Sequence, residues 1–502
     1  MRGTIGSFRA SRARAHHAAV ALLLAVLTLA TLGAAAPAAP ASTQPSSGPQ
    51  PAAAEQPAAS VGFSFKSDAY SVRDLTPAER PFYSPTVLSR VDTGTHDGSG
   101  VRMTRINGVL YDHPGAAANY GIWNLNSYRV TGDDFFLHRA EVQARRLVDI
   151  RDVADNGGWY YPNSYARDRH GVPGELVTPP WYSAMAQGLA LTLFSRLSET
   201  TGDPTWTNAA DHTFLSYLRP GPRSGPYTVN VDGNGYYWLQ EWPWPNMTPD
   251  RTLNGHTFST FGLYEYYRLT GDSRALALFR GAATTVAHYL PAFRQSGWIS
   301  CYCLTHRGTN SKYHEIHVGQ LLQLYTITGN VQFARDADLL ESDYPRPAIS
   351  GLIHVAPGTY TALRFHAGPA ASRKLRVTST TRFRVSLRIR IRGRKSLYFR
   401  ISSGSLSGWY LPEIPGHVYR PGIVVSHGYD PDRLLTFAGG SYTGFKYSPS
   451  GSVTRRVTVQ VAAGTTALAG SAAVASGYRA ALCTDGPLAG SWVRLQKGVT
   501  LR

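Results

Sequence analysis

Residues 261–279, FGLYEYYRLTGDSRALALF, place the tripeptide Thr270-Gly271-Asp272 between two runs with the apolar spacing of amphipathic helices. Glycine readily adopts the left-handed backbone conformation that closes a helix. An aspartate side chain can accept hydrogen bonds from the first backbone N–H groups of the next helix. The stretch therefore predicts a helical hairpin whose turn lies at these three residues.

The same tripeptide pattern, Thr-Gly followed by Asp or Asn, occurs three more times along the chain. The other copies are Thr131-Gly132-Asp133, Thr201-Gly202-Asp203 and Thr328-Gly329-Asn330, and the four copies are 70, 69 and 58 residues apart. Four hairpins in series, joined by loops rich in Trp, Tyr, Gly and Pro, predict a mainly α fold over residues 117–344, an incomplete α/α toroid. In such a barrel, loops at one open end can hold a sugar chain.

The periodicity changes from about Arg346 onward. Residues 387–392, LRIRIR, alternate apolar and basic side chains, which is typical of a half-buried strand with a basic outer face. We expect an all-β accessory domain over residues 345–502. Three Gly-bounded turns before an aromatic residue are also predicted there, at 404–409, 440–445 and 486–492. Residues 61–116 contain short strand patterns and predict an N-terminal β-containing layer.

Positive charge is concentrated in the predicted β domain. Residues 344–502 hold 22 Lys or Arg and 4 Asp or Glu, so the formal net charge of +18 comes from this part of the chain. For an exported protein, such a surface favours an acidic polysaccharide substrate or an anionic cell-envelope polymer over nucleic acid. A solvated basic face with no specific partner is the alternative.

The N-terminus has the pattern of an export signal. Four arginines precede an apolar run at residues 18–32, and small residues follow, so residues 1–41 predict a signal peptide. A signal anchor is the alternative, although the run is shorter than the roughly 20 residues of a membrane span. Residues 42–60 are rich in Pro, Ala and Ser and predict a flexible linker. The protein is expected to be secreted, with no stable membrane span.

The composition excludes several classes of protein. Hydrophobic residues make up 43% of the chain and charged residues only 16%, which excludes a disordered chain and a coiled coil. The three cysteines cannot form a disulfide scaffold. Cys301 and Cys303 lack a second nearby thiolate pair for zinc, so buried thiols are expected.

Three stretches of the helical region combine aromatic and ionisable residues. They are residues 181–188 (WYSAMAQG), residues 240–243 (QEWP) with 253–256 (LNGH), and residues 302–307 (YCLTHR) with 313–317 (YHEIH). Flat aromatic faces stack on sugar rings, while acids and bases transfer protons. These stretches therefore predict a carbohydrate site.

The same stretches resemble the C-terminal domain of D-glucuronyl C5-epimerases. The resemblance rests on residues 181–188, on Asn254-Gly255 with 261–264, and on Tyr313-His314 with His317, Gln320 and Leu321. It extends from about Asn119 to Tyr344. These enzymes convert glucuronate to iduronate within heparan-type chains, so the resemblance implies an isomerase acting on glucuronate residues of an acidic polysaccharide. The sequence has no dinucleotide or phosphate-loop pattern in a strand–helix context and no third ligand with zinc spacing, so neither an organic cofactor nor a metal is expected.

The resemblance also implies roles for individual residues. Tyr313 and Tyr302 are expected to be catalytic, and Glu241 to be the carboxylate that assists proton removal from the opposite face. Arg307 and His306 are expected to bind the uronate carboxylate. The remaining predicted substrate-binding residues are Trp181, Tyr182, Gln187, Trp242, Asn254, His256, His314 and His317.

Two residues depart from the family pattern. Trp242 stands where the family has a tyrosine and cannot transfer a proton, and Thr305 stands where an arginine is expected. If the returning acid is missing, the same carbanion could expel its 4-O substituent, as in a polysaccharide lyase. The pattern is also compatible with a hydrolase on the same toroid and with a polysaccharide-binding protein whose catalysis is impaired.

Structural roles are alternatives for several of these side chains. Trp181 and Tyr182 could be core aromatic residues at a helix start, and Glu241 could be a capping partner. His314 and His317 have a spacing that permits a metal pair, but hydrogen-bonding or substrate-contact roles are favoured because no third ligand with zinc spacing is evident.

Overall fold

The computed structural model describes residues 60–346, 351–365, 370–448 and 452–502. The predicted signal peptide lies outside the described residues, as does the predicted linker except for its last residue. No helix within the described ranges is both long enough and apolar enough to span a bilayer.

Eight α-helices lie in the described residues, in four consecutive pairs. They are α1 (Pro114–Thr131), α2 (Asp134–Ile150), α3 (Ala184–Thr201), α4 (Pro204–Leu215), α5 (Leu253–Thr270), α6 (Ser273–Phe293), α7 (Ser311–Thr328) and α8 (Val331–Asp343). The predicted mainly α region is confirmed, and it begins at Pro114, three residues before the predicted boundary. A proline suits this position because the first N–H groups of a helix have no partner within the helix.

The four predicted hairpin turns are confirmed. Their glycines, Gly132, Gly202, Gly271 and Gly329, have φ angles of 68°, 68°, 69° and 65°. The Asp or Asn that follows each glycine accepts a hydrogen bond from the backbone N–H two residues further on, as Asn330 does from Gln332 at 2.9 Å. These side chains begin the second helix of each pair.

The threonine of each turn has a function that the sequence pattern did not reveal. Thr328 donates a hydrogen bond to the carbonyl of Leu324 at 2.6 Å and accepts one from the backbone N–H of Asn330 at 3.1 Å. Thr131, Thr201 and Thr270 make the corresponding pairs of bonds. The hydroxyl thus ties the end of one helix to the start of the next.

In the described residues, one short antiparallel β-hairpin precedes α1, and the others lie in the connections between helices. They pair β1 (Met103–Ile106) with β2 (Val109–Asp112), β3 (Asp152–Val153) with β4 (Trp159–Tyr160), β5 (Arg167–Asp168) with β6 (Leu176–Val177), and β7 (Val229–Val231) with β8 (Tyr237–Leu239). The loops that connect α2 to α3 and α4 to α5 therefore contain ordered strands.

Two seven-stranded antiparallel sheets form the C-terminal region. The first contains β9 (Gly351–Val355), β10 (Gly358–Arg364), β11 (Ala371–Val377), β12 (Thr381–Arg390), β13 (Leu397–Ile401), β14 (Tyr410–Pro412) and β15 (Val418–Tyr419). The second contains β16 (Ile423–Phe437), β17 (Gly440–Tyr447), β18 (Val453–Val461), β19 (Thr466–Ala475), β20 (Tyr478–Cys483), β21 (Trp492–Arg494) and β22 (Val499–Leu501). The predicted β-rich region is confirmed.

The two sheets are copies of one module. Their strand orders, β11-β10-β14-β13-β12-β9-β15 and β18-β17-β21-β20-β19-β16-β22, are the same once each strand is matched to its counterpart. In β9, β10, β13 and β14, equivalent residues are 82 positions before their counterparts, as in Tyr360 and Tyr442, whose hydroxyls donate to the carbonyls of Ala356 and Ala438 at 2.8 and 2.9 Å. We call residues 351–419 module A and residues 423–501 module B.

The Gly-bounded segments at 404–409 and 486–492 are equivalent turns of the two modules, each with one turn of 3₁₀-helix. The prediction of a third such turn at 440–445 was wrong, because Gly440 to Phe445 lie within β17. Gly440 has a φ of 148°, so the glycine meets the backbone conformation at the start of this strand and not that of a turn.

The described chain divides into two compact units. Unit 1 contains residues 60–68, 76–251 and 255–285, and unit 2 contains 69–75, 252–254 and the described part of 286–502. Unit 1 holds α1 to α4 and most of α5 and α6. Unit 2 holds the end of α6, the α7–α8 pair and both β modules.

Candidate active site

Two predicted substrate-binding tryptophans pack against each other in unit 1. The rings of Trp181 and Trp242 stack with centroids 4.9 Å apart, and both side chains are buried. Trp181 donates its indole N–H to the carbonyl of Tyr165 at 2.7 Å, and Tyr165 and Val177 complete the cluster. The position of Trp181 therefore agrees with the alternative in which it is a core residue. The stacking contact fixes the position of the Trp242 ring.

Glu241 is buried in unit 1 immediately before Trp242. The preceding carbonyl, that of Gln240, accepts a hydrogen bond from the backbone N–H of Ala184 at 2.8 Å, which fixes the backbone beside the start of α3. A Cβ atom on Gly255 would lie 2.4 Å from Oε2 of Glu241. The glycine in the first turn of α5 thus leaves the space that this carboxylate occupies.

His256 connects a strand to a helix inside unit 1. Its Nδ1 accepts from the backbone N–H of Leu239 at 3.0 Å, and its Nε2 lies 2.9 Å from the carbonyl of Ala282. This pattern requires the neutral ring with the proton on Nε2. Complete burial lowers the pKa of His256 to about 4. Both ring nitrogens are therefore used by the protein backbone.

Gln187 and Tyr182 occupy different environments at the start of α3. Gln187 is fully buried and bonds to the carbonyl of Trp159, the hydroxyl of Ser216 and the N–H of Tyr161 at 2.7, 2.9 and 3.2 Å. The hydroxyl of Tyr182 donates to Asp152 at 2.7 Å. Burial, followed by this hydrogen bond, raises the pKa of Tyr182 above its usual value.

A histidine–aspartate pair in unit 1 was missed by the sequence analysis. Nε2 of His170 lies 2.5 Å from Oδ2 of Asp250, whose side chain is completely buried. The His170 ring contacts Trp242 edge to face with centroids 5.5 Å apart, and the Arg167 guanidinium lies 4.9 Å from the Trp242 ring centre. An imidazole and a guanidinium therefore flank the tryptophan that departs from the family pattern.

The two predicted catalytic tyrosines meet in unit 2. The ring centroids of Tyr302 and Tyr313 are 4.4 Å apart. Tyr302 is held by backbone bonds, since its carbonyl accepts from the N–H of Leu253 at 3.2 Å and its N–H donates to Gly308 at 2.8 Å. Tyr313 lies in the first turn of α7, which Asn310 caps by accepting from Lys312 at 3.0 Å. Both side chains are partly exposed.

The two predicted carboxylate-binding residues follow Tyr302 on one turn. Nδ1 of His306 lies 3.3 Å from Sγ of Cys303. Arg307 has a φ of 52° and donates from its guanidinium to the carbonyl of Ala292 at 3.1 Å. Its side chain is exposed, so the guanidinium retains donors that face solvent.

His314 and His317 are interior residues of unit 2, joined through Ser300. Nδ1 of each ring lies 2.9 Å from the Ser300 hydroxyl, and Nε2 of His314 lies 2.9 Å from the carbonyl of Leu340. Burial, with the neighbouring His314, lowers the pKa of His317 to about 3. Because both nitrogens of His314 are engaged, the geometry supports the hydrogen-bonding alternative for this residue.

Asn254, at the second position of α5, is buried in unit 2. Its backbone carbonyl accepts from the Gln320 amide at 2.9 Å. Within the described residues, the side-chain oxygens of Asn254 and Gln320 are buried without a hydrogen-bond partner. Two unsatisfied acceptors of this kind are unusual in a protein interior and would suit a donor from a bound molecule or a water.

Known proteins resemble the part of the chain that contains these residues. The family model for the D-glucuronyl C5-epimerase C-terminus matches residues 151–341. A D-glucuronyl C5-epimerase from Caenorhabditis elegans is 25% identical over 210 residues, which are 38% of this chain and 32% of the relative. Residues 151–341 are therefore similar to the C-terminal domain of D-glucuronyl C5-epimerases. The chain spans about a third of the length of that relative.

Two solved structures show a weak similarity to the chain. A sugar epimerase from a ruminal bacterium is 12% identical over 46% of this chain and 58% of its own, with a TM-score of 0.35. The cellobiose 2-epimerase from Bacillus thermoamylovorans is 11% identical over 46% of this chain and 59% of its own, also with a TM-score of 0.35. Similarity at this level says nothing about the activity of the chain.

The epimerase-family segment, residues 151–341, contains all thirteen predicted site residues. Two of its motif glycines have a packing role in unit 1. A Cβ on Gly188 would lie 2.3 Å from Cα of Ser259, and a Cβ on Gly262 would lie 2.5 Å from the carbonyl oxygen of Gly188. Helices α3 and α5 therefore touch backbone to backbone, at the end of α3 that follows Trp181.

Proposed function

We propose that this chain is a uronate C5-epimerase-like isomerase acting on glucuronate residues of an acidic polysaccharide. The observation that carries the proposal is the match of residues 151–341 to the D-glucuronyl C5-epimerase C-terminus. The four helical hairpins agree with the α/α toroid expected for this part of the chain, and we keep the toroid as part of the proposal.

The chemistry of the reaction defines which groups are needed. The C5 hydrogen of a uronate lies α to a carboxylate, and its removal generates an enolate-like dianion. A cation or a hydrogen-bond donor must stabilise this charge as it develops. One group removes the proton from one face, and a second group returns a proton to the other face, so no atom is gained or lost.

Tyr313, Tyr302 and Glu241 are the proposed proton-transfer groups, as the family resemblance implies. The 4.4 Å contact between the two tyrosine rings supports a joint role for them. The position of Tyr313 in the first turn of α7 adds to this, because the positive end of a helix stabilises nearby negative charge. Arg307 and His306, one turn after Tyr302, are the proposed carboxylate-binding residues.

We propose that His170 supplies the proton-transfer group that Trp242, in place of the family's tyrosine, lacks. The indole has no group that acts as a general acid or base, whereas imidazole, which here contacts the indole, is the side chain that most often does. Asp250 holds one ring nitrogen of His170 at 2.5 Å and is the positioning residue of the pair. We therefore include His170 among the proton-transfer groups and Arg167, which lies over Trp242, among the groups that bind the uronate carboxylate.

Deuterium exchange tests the proposal directly. The full chain is incubated in deuterated water with unsulfated or sulfated glucuronate polymer, and the C5 position is followed by NMR together with ultraviolet absorbance. Deuterium at C5 with iduronate signals is the expected result. Rising absorbance from an unsaturated uronate would show a lyase instead, and absence of exchange on both polymers would contradict the proposal.

Single variants separate the roles. Tyr313→Phe, Glu241→Gln and His170→Gln should each lower the exchange rate at least about a hundredfold, since each removes a proton-transfer group. Tyr128→Phe is the matched control, because Tyr128 is also partly buried but lies outside residues 151–341. If His170→Gln exchanged at the wild-type rate, His170 would lose its place in the mechanism.

Export and tethering remain separate proposals. Residues 1–41 should direct the chain out of the cell, and the basic β modules should hold it to an acidic polymer of the cell envelope or of the substrate. Cell fractionation with the full chain and with a chain lacking residues 1–41 tests the first point. Recovery of both forms in the same compartment would contradict it.

A further inference from the structure

A cavity of about 540 Å³ lies in unit 2 between the two β modules. Module A contributes His354 and Tyr419, whose rings lie 5.7 Å apart. Module B contributes aromatic residues and two arginines, Arg456 and Arg494. No aspartate or glutamate is among the described residues that line it, so its wall is basic and aromatic.

Arg494 is the most constrained cation of this cavity. Its guanidinium lies 4.1 Å from the ring centre of Tyr478 and 4.9 Å from that of Phe445. Arg494 forms no ion pair with any described carboxylate, and its buried Nε has no hydrogen-bond partner among the described residues. Held between two aromatic faces, the guanidinium has lost most of its side-chain freedom before any ligand binds.

A second arginine and further aromatic side chains surround this group. Arg456 lies opposite Phe445 in the β17–β18 ladder, with its guanidinium 5.9 Å from the ring centre. Tyr447 and Tyr419 also line the cavity. A Cβ on Gly416 would lie 2.7 Å from the Tyr478 hydroxyl, so the glycine keeps space for that side chain at the wall.

The duplicated fold shows that these side chains are not required by the strand architecture. At the position 82 residues before Arg494, module A has Pro412, and at the position before Tyr478 it has Ser396. The counterpart of Phe445 is Leu363. Module A forms the same sheet without the arginine and without its two aromatic neighbours, which indicates that module B holds them for another reason.

We infer that this cavity binds an acidic saccharide, with a carboxylate or sulfate group on Arg494 and Arg456 and sugar rings against the tyrosines. A planar guanidinium forms paired hydrogen bonds with either anion. Flat aromatic faces suit the apolar faces of sugar rings, and a cavity of about 540 Å³ is within the size range of small-molecule sites. The choice of a uronate polymer rests on the proposed function; the site itself is separate from the epimerase-family segment.

Binding of defined oligosaccharides tests the inference. The full chain carrying Tyr313→Phe, which should slow turnover at least about a hundredfold, is titrated calorimetrically with an unsulfated glucuronate–N-acetylglucosamine tetrasaccharide, its sulfated form and neutral chitotetraose. Arg494→Gln should weaken binding of an acidic tetrasaccharide at least about tenfold, the effect expected when a hydrogen-bonded charge partner is lost. Chitotetraose should bind no more tightly to the parent than to Arg494→Gln.

Arg455 and Arg456 supply a matched pair of controls. They are neighbours on β18 whose side chains point to opposite faces, and only Arg456 lines the cavity. Arg456→Gln should weaken binding, whereas Arg455→Gln, with the same change of charge, should not. Equal affinities for Arg455→Gln and Arg494→Gln would overturn the inference, provided that the thermal unfolding midpoints agree.

The comparison of the two acidic probes identifies the anion, since a preference for the sulfated form would assign sulfate rather than carboxylate to the arginines.

The binding experiment is also independent of catalysis. Exchange at C5 without any effect of Arg494→Gln on affinity would uphold the proposed function and reject the cavity. Loss of binding in Arg494→Gln without exchange in the wild type would uphold the cavity as a saccharide site and reject the proposed function.

Discussion

Gly255 illustrates how a single hydrogen atom in place of a methyl group can define a candidate active site. Gly255→Ala would place a Cβ 2.4 Å from Oε2 and 2.7 Å from Cβ of Glu241, so the carboxylate and its backbone must move. We expect a loss of about 1–3 kcal/mol in the free energy of unfolding, the usual cost of overpacking, together with a lower C5 exchange rate.

Gly319→Ala is the control for this substitution. Gly319 also lies inside a helix, α7, but a Cβ there would meet no atom within 4 Å. Alanine favours a helix over glycine, so this variant should gain up to about 1 kcal/mol in urea unfolding. A Gly255→Ala variant as stable and active as Gly319→Ala would show that Glu241 is not where the exchange chemistry occurs.

His256 predicts a pH dependence of stability. Its folded pKa of about 4 lies below the ordinary 6.5, so its contribution is fully present above pH 6.5 and is lost as the pH falls towards 4, because the unfolded chain takes up the proton first. The slope for one such histidine approaches about 1.4 kcal/mol per pH unit.

Urea unfolding across this pH range measures the effect. His256→Gln should reduce the slope by close to one proton, while His138→Gln, at an exposed histidine of α2, should leave it unchanged. Equal slopes for the two variants would contradict the assignment of His256 as a neutral buried ring.

At this scale the sequence predicted residue types better than residue environments. The motifs located Glu241, Tyr302 and Tyr313, because each lies in a local pattern. They could not show that the amide of Gln187 is satisfied by three protein groups, since those partners lie 26 to 29 residues away. The His170–Asp250 pair joins residues 80 positions apart and left no local signal.

The four helical hairpins are the elements that the sequence predicted best. The hydrogen bonds of their turns join residues no more than four positions apart, so a tripeptide was enough to place all four. The same interactions make the caps testable. Asn330→Ala removes the hydrogen bond to Gln332 at 2.9 Å and should lower the free energy of unfolding by about 1 kcal/mol.

Ser183 provides the comparison for this cap. It occupies the same position before α3, but its side chain makes no capping hydrogen bond. Ser183→Ala should therefore change the unfolding free energy by much less than Asn330→Ala in the same urea experiment. Equal effects of the two substitutions would mean that the cap in Asn330 does not stabilise α8.

On the scale of the whole of unit 2, one carboxylate with little exposure, that of Asp338, joins α8 to β16. Asp338 accepts from Arg433 at 2.5 Å, from Tyr429 at 2.7 Å and from His427 at 2.9 Å. Burial alone would raise the pKa of Asp338, but these partners hold it below the usual value. Asp338→Asn leaves the buried Arg433 without a counter-charge, and we expect a loss of about 3–5 kcal/mol.

Asp336, two residues earlier on α8, is the control. Burial raises the pKa of Asp336 to about 6, and its one hydrogen bond comes from the Gln332 amide at 2.9 Å. Asp336→Asn should therefore be as stable as the wild type, or more stable, near neutral pH. Chemical unfolding of both variants decides the matter, and a larger loss for Asp336→Asn would contradict the role given to Asp338.

The duplication of the β module was the largest feature that the sequence did not predict. The turns at 404–409 and 486–492 repeat in the sequence, and so do the starts of β10 and β17, GTYT at 358–361 and GSYT at 440–443, but such short matches do not reveal a repeated sheet. Strand order depends on pairings across the whole module, such as β9 with β12 and β16 with β19, which no local pattern records.

That duplication has a consequence for how the chain reaches its native state. Neighbouring copies of one architecture invite strand exchange during refolding. Here the equivalent interior positions differ in volume: Phe399 corresponds to Ala481, Val385 to Ala469, and Ile401 to Cys483. A strand inserted into the wrong copy would leave a cavity or overpack the core. The sequence difference between the copies therefore disfavours misassembly.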